Sequence, residues 1–126
     1  MMGDMTWLMV VLAGAVGTAA RYGIGLVVGP RGFPWATLGI NVTGSFLIGL
    51  ILTMGALGRL SPQTTTALAV GFLGAFTTYS TFSWETLVLG RTNQVVLAVL
   101  YVLASVVLGW LAAAAGYRLG QTFSPN

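Results

Sequence analysis

The chain has 126 residues, 56% of them hydrophobic, and five arginines, Asp4 and Glu85 carry all of its side-chain charge, for a net +3. A soluble domain normally carries about a quarter charged residues to keep its surface wetted, so 6% excludes a water-soluble globule and requires a bilayer. Without Cys, His or Lys, the chain lacks thiolate and imidazole metal ligands, the usual general base and the Schiff-base amine. Two carboxylates are too few for most metal chemistry, so an enzyme is not expected. The arginines are scattered rather than clustered, which excludes a nucleic-acid-binding face.

One all-α transmembrane domain is expected over residues 1–126, with spans at about 5–28, 34–57, 62–89 and 94–117. Each exceeds 20 residues, enough at ~1.5 Å per residue for about 30 Å of hydrocarbon. Span one begins with Asp4 and no Lys or Arg, so it reads as a retained span rather than a signal peptide. Gly29-Pro30-Arg31-Gly32 ends it, because Gly is entropically costly in a helix and Pro removes a donor. Gly58-Arg59 ends span two, and Ser61-Pro62 supplies an N-cap and an N1 proline for span three. Gly90-Arg91 ends span three, and Thr92 or Asn93 is placed to cap span four. Ala13/Gly17, Gly44/Gly49 and Gly71/Gly74 are read as small residues that let helices approach closely in lipid.

With the N-terminus in the cytoplasm, Arg59 and Arg118 fall on that side and Arg31 and Arg91 on the other. Such a balance gives no positive-inside bias. Insertion in both orientations is therefore expected, which permits an antiparallel two-fold dimer.

Polar residues inside spans face partners, cavities or pathways. Thr37, Asn41 and Ser45 share one face of span two, and Tyr101 and Ser105 one face of span four. Span three carries Thr77-Thr78-Tyr79-Ser80-Thr81-Phe82-Ser83, with five hydroxyls besides the tyrosine. Thr77, Thr81 and Glu85 form one stripe there, Tyr79 and Phe82 another. A single buried Ser or Thr usually bonds back to the carbonyl four residues earlier. Five in seven residues, beside Gly74, instead predict a broken helix at mid-membrane lining a narrow polar pathway. Its donors and ring edges suit a small anion, with Arg21 adding positive charge near one mouth and no ring of acids marking a cation filter.

Gly71-Phe72-Leu73-Gly74-Ala75-Phe76-Thr77-Thr78-Tyr79-Ser80-Thr81-Phe82-Ser83-Trp84-Glu85 closely resembles the signature of Fluc/CrcB-type fluoride channels. Ala36-Thr37-Leu38-Gly39-Ile40-Asn41-Val42-Thr43-Gly44 and Gly14-Ala15-Val16-Gly17-Thr18-Ala19-Ala20-Arg21-Tyr22 resemble that family's second and first helix motifs. The similarity covers all four spans in order. It implies an antiparallel dual-topology homodimer in the bacterial inner membrane, with two pores through which fluoride leaves the cytoplasm passively. It also implies a structural Na⁺ on the backbone carbonyls of Gly74 and Thr77. Asn41 would be the pore amide with Thr37 and Tyr101 beside it, and Phe82 one of two pore rings. Thr78, Ser80, Thr81 and Ser83 would form a hydroxyl track. The chain departs from the family pattern at Tyr79, where a Phe is usual, at Gly109, where some members carry Ser, and at Ala75, where Gly is usual. A small four-helix multidrug exporter is the rival reading, but span one lacks the embedded carboxylate such a transporter needs. A non-transporting membrane subunit would need no polar run in span three.

Overall fold

The computed structural model describes residues 2–124, and for residues 2–4, Asp4 among them, only the backbone. Helix α1 runs Met2–Val28 and α2 runs Trp35–Ala56. A broken segment follows: α3 at Pro62–Thr66, a π-helical stretch at Ala67–Phe72, α4 at Leu73–Phe76 and α5 at Tyr79–Arg91. Helix α6 closes the fold at Val95–Gln121. No strand occurs among the described residues. Met5–Val28, Trp35–Ala56 and Val95–Gln121 are each long and apolar enough to cross a membrane, at 24, 22 and 27 residues.

The stop signals act as their chemistry dictates. The Ser61 hydroxyl accepts the Thr64 N–H at 3.1 Å, with Pro62 in the first turn behind it. The expected Thr92/Asn93 cap on α6 does not form. Thr92 turns back and donates to the Val88 carbonyl at 2.9 Å, closing α5, while Asn93 makes the turn at φ 59°. Helix α6 starts without a side-chain cap and runs four residues beyond the expected end at 117.

Small residues set the packing, as expected where no water drives helices together. A Cβ on Gly49 would strike the Ala113 carbonyl, and one on Gly116 would strike the Phe46 carbonyl and lie 2.9 Å from the Leu50 N–H nitrogen. Ser45 faces Gly109 and Thr53 faces Gly120 in the same ascending order, so α2 and α6 run parallel. Arg59 bears this out: its Nε donates to the Phe123 carbonyl at 2.8 Å, tying the end of α2 to the end of α6. Helix α1 likewise runs parallel to the first half of the broken segment, with Val10 against Gly71, Gly17 against Phe72 and Arg21 against Ala75. Two parallel helices in sequence require a return path between them, and the broken segment provides it.

Two buried clusters fill the interior. Leu38, Leu89, Ala98 and Tyr101 form one, with Phe33 and Phe82 packed against it. Ile40, Leu73 and Phe76 form the other, where Phe72 and Phe76 stack at 5.5 Å. The outside is apolar, with Trp7, Val16, Val27, Val96 and Trp110 all more than half exposed. A lipid solvent produces this inversion.

Candidate functional site

The site is built around the two residues that interrupt the broken segment. Thr77 (φ −81°, ψ 158°) and Thr78 (φ −150°, ψ 119°) are extended, so α4 ends and α5 begins across a single turn of unwound backbone. The helix is still intact at Gly74, so the break lies at Thr77–Thr78 rather than starting at Gly74. Unwound backbone inside a bilayer must find partners in the protein. Helix α2 supplies them: Asn41 Nδ2 donates to the Thr78 carbonyl at 3.0 Å, and the Thr78 N–H donates to Asn41 Oδ1 at 2.8 Å. Helix α1 adds Arg21, whose Nε donates to the Ala75 carbonyl at 2.9 Å. The Thr78 hydroxyl caps α5 by accepting the Thr81 N–H at 3.2 Å and donates to the Thr81 hydroxyl at 3.0 Å.

These diversions release two carbonyls. In a continuous helix Thr78 would donate to Gly74, and Thr81 to Thr77. Here the first N–H goes to Asn41 and the second to the Thr78 hydroxyl, so the carbonyls of Gly74 and Thr77 lose those donors. Both residues line a groove of about 460 Å³ whose polar members include Asn41, Ser45, Thr77, Thr78 and Ser105. Tyr79 and Phe82 line it too, with ring centroids 5.9 Å apart and planes tilted by 46°. Tyr79 is 81% exposed. The Ser105 hydroxyl is buried and has no hydrogen-bond partner, an orphan polar atom at the groove wall. Among the described residues, no charged side chain lines this groove.

The expected pathway residues sort into two sets. Asn41, Thr78, Tyr79, Phe82 and Ser105 meet at the groove. Thr37 and Tyr101 lie apart from it, with both hydroxyls donated to Glu85, at 2.9 Å to Oε1 and 2.7 Å to Oε2. Tyr101 is 0% exposed. Glu85, Thr81, Thr78, Thr37 and Arg21 line a second cavity of about 510 Å³ between α1, α2 and α5. Thr78 borders both spaces. Thr77 leaves the expected stripe with Thr81 and Glu85, because its backbone is extended, and Thr78 takes that place. Ser83 bonds back to the Tyr79 carbonyl at 2.9 Å, and Ser80 is exposed, with its hydroxyl 3.4 Å from that of Thr78.

Two contributors escaped the sequence reading. Phe33, in the loop before α2, sets its ring edge-on to Tyr101 at 5.4 Å, and Tyr101 in turn meets Phe82 at 5.1 Å. Gly44 read as a packing glycine, yet a Cβ there would strike the Thr77 side chain. Its spacing of three from Asn41, on one helix face, was the available signal.

This is a multi-pass membrane protein whose interrupted helix opens on an uncharged polar groove. A family model described as CrcB-like protein, Camphor Resistance (CrcB), matches residues 8–117. A protein of Thermus thermophilus named fluoride-specific ion channel FluC is 49% identical over 122 residues, covering 94% of this chain and 96% of that protein. A FluC of Acidobacterium capsulatum is 47% identical over 121 residues, covering 93% and 97%. FluC 2 of Clostridium acetobutylicum is 39% identical over 123 residues, covering 95% and 98%. The chain belongs to the CrcB family.

Proposed function

We infer that the protein is a fluoride-selective channel, in which fluoride crosses passively along the groove at the Thr77–Thr78 break. The carrying observation is the groove's lining: an amide, several hydroxyls and two aromatic rings, with no charged side chain among the described residues. Fluoride is small and holds water tightly, so a pore must offer several hydrogen bonds at once. Ser105 has an unused hydroxyl, and Asn41 Nδ2 has a second hydrogen beyond the one given to Thr78. Aromatic edges carry partial positive charge and favour an anion over a cation. Thr37, Tyr101 and Glu85 continue the route toward one end, with Thr81 beside them, and Ser80 and Ser83 flank the outer face of α5. Arg21 places its guanidinium beside the break, where it adds positive charge to the adjoining cavity.

The broken segment makes the fourth crossing, between the parallel α2 and α6. Two copies in opposite orientations form the working homodimer in the bacterial inner membrane, lowering cytoplasmic fluoride. The balanced arginines support this assembly. With Lys added near one terminus, insertion should become one-sided and efflux should fall until an oppositely biased copy is co-expressed. A reporter fused to the C-terminus and active on one side only, in the unmodified chain, would end the dual-topology reading.

A structural Na⁺ is proposed on the Gly74 and Thr77 carbonyls. Hard cations take such oxygen ligands, no His, Cys or carboxylate cluster suited to a metal occurs among the described residues, and both carbonyls are released from helical bonding. Efflux of fluoride against chloride from proteoliposomes tests the whole reading. Fluoride should leave and chloride should stay, with no Na⁺ gradient needed. Equal fluxes would overturn selectivity, and a requirement for the gradient would overturn a structural Na⁺.

A further inference from the structure

We propose that Asn41 is a positioning residue that keeps the segment between α2 and α6 broken, by outcompeting the Gly74 carbonyl for the Thr78 N–H. Three observations on α2 carry it. Both hydrogen bonds between Asn41 and the Thr78 backbone are short, at 3.0 and 2.8 Å, and they close a ring on the N–H and C=O of a single residue. Gly44, one turn along the same face and buried, has no side chain where the Thr77 side chain sits. Ser45 bonds back to the Asn41 carbonyl at 2.7 Å and so does not compete for the amide. This face of α2 is shaped as a receptor for two extended residues.

The alternative state is close at hand. Thr78 needs only to swing its N–H from Asn41 to the Gly74 carbonyl to restart the helix. Tyr79 would then reclaim the Ala75 carbonyl, displacing Arg21, and Thr81 would reclaim that of Thr77. Without Asn41, the extended form would leave both the N–H and the C=O of Thr78 unpaired in a low-dielectric setting, which is strongly disfavoured. The helical form would satisfy them. Healing turns α5 about its axis relative to α4, carrying Phe82 and Tyr79 off the groove and covering the Gly74 and Thr77 carbonyls. Asn41 thereby acts through the backbone it holds, in addition to any contact with the ion. The consequence for efflux rests on the fluoride-channel reading; the clamp itself does not.

The test is solid-state NMR on the isotopically labelled full chain in lipid vesicles, paired with efflux from the same preparation. In Asn41→Ala, the Thr77 Cα and Cβ shifts should move from extended to helical values and fluoride efflux should fall about a hundred-fold. Extended shifts with lost efflux would overturn the clamp and leave Asn41 acting on the anion alone. Helical shifts with undiminished efflux would leave the clamp standing and sink the conduction reading instead. Asn41→Asp guards against a misfolded alanine variant. Its carboxylate loses the donor to the Thr78 carbonyl but keeps the acceptor and strengthens it, so the retained bond should hold Thr77 extended while the Thr78 amide proton moves downfield. An unmoved proton would show that Thr78 does not bond to residue 41, and would overturn the proposal.

Discussion

Phe82→Ile is expected to slow fluoride efflux from proteoliposomes by about ten- to a hundred-fold, the effect of losing about 1.5–3 kcal/mol of interaction along the path. The ring lies between Tyr79 at 5.9 Å and Tyr101 at 5.1 Å and borders the groove. Isoleucine fills part of the space but presents no positively polarised edge. It also removes the ring that couples the groove to the Tyr101–Glu85 pair. Tyr79→Phe is the matched control: it keeps the ring and deletes only a hydroxyl on an exposed side chain, so efflux should stay near the wild-type rate. Normal efflux in Phe82→Ile, with the protein folded, would remove the rings from the mechanism.

The second large effect concerns stability. Gly116→Val should lower the apparent Tm in lipid or mild detergent by about 10 °C or more, since overpacking costs about 1–3 kcal/mol and here the clash is with backbone. The Phe46 carbonyl cannot move aside as a flexible side chain would. The helices would have to separate along a crossing that also contains Gly49 and Gly120. Gly39→Ala, where a Cβ meets nothing within 4 Å, should melt like the wild type. Matching melting curves for Gly116→Val and wild type would show that the close crossing contributes nothing.

Much of this architecture was legible in the residues. Apolar runs longer than the hydrocarbon thickness, divided by Gly-Pro-Arg-Gly, Gly-Arg and Ser-Pro, mark where the chain leaves the bilayer. Those signals are local. The hydroxyl-rich run announced the interruption for the same reason, since stacked β-branched residues weaken a helix. Its exact place did not follow, because Thr77–Thr78 is unwound by a side chain 37 positions away, and Gly74 remains helical. The π-helical stretch at Ala67–Phe72 has no local signature either; it packs on α1 through Gly71 against Val10. Hydroxyls that the sequence grouped as one track separate because each chose the nearest acceptor: Ser83 its own helix, Thr37 the Glu85 carboxylate. Thr92 likewise satisfied α5 before it could serve α6.

The uneven apolarity of the helical segments bears on how the chain is made. Among the described residues, three helices are long and apolar enough to cross lipid, whereas the interrupted segment carries peptide groups that hydrocarbon rejects unless they are already paired. The groups that pair them, Arg21 and Asn41, lie in α1 and α2. Ribosomes deliver the N-terminal part first, so both side chains are synthesised before Thr77 and Thr78 emerge. The interrupted segment thus follows its partners, into a berth the earlier helices have prepared, and only α6 remains to close over it.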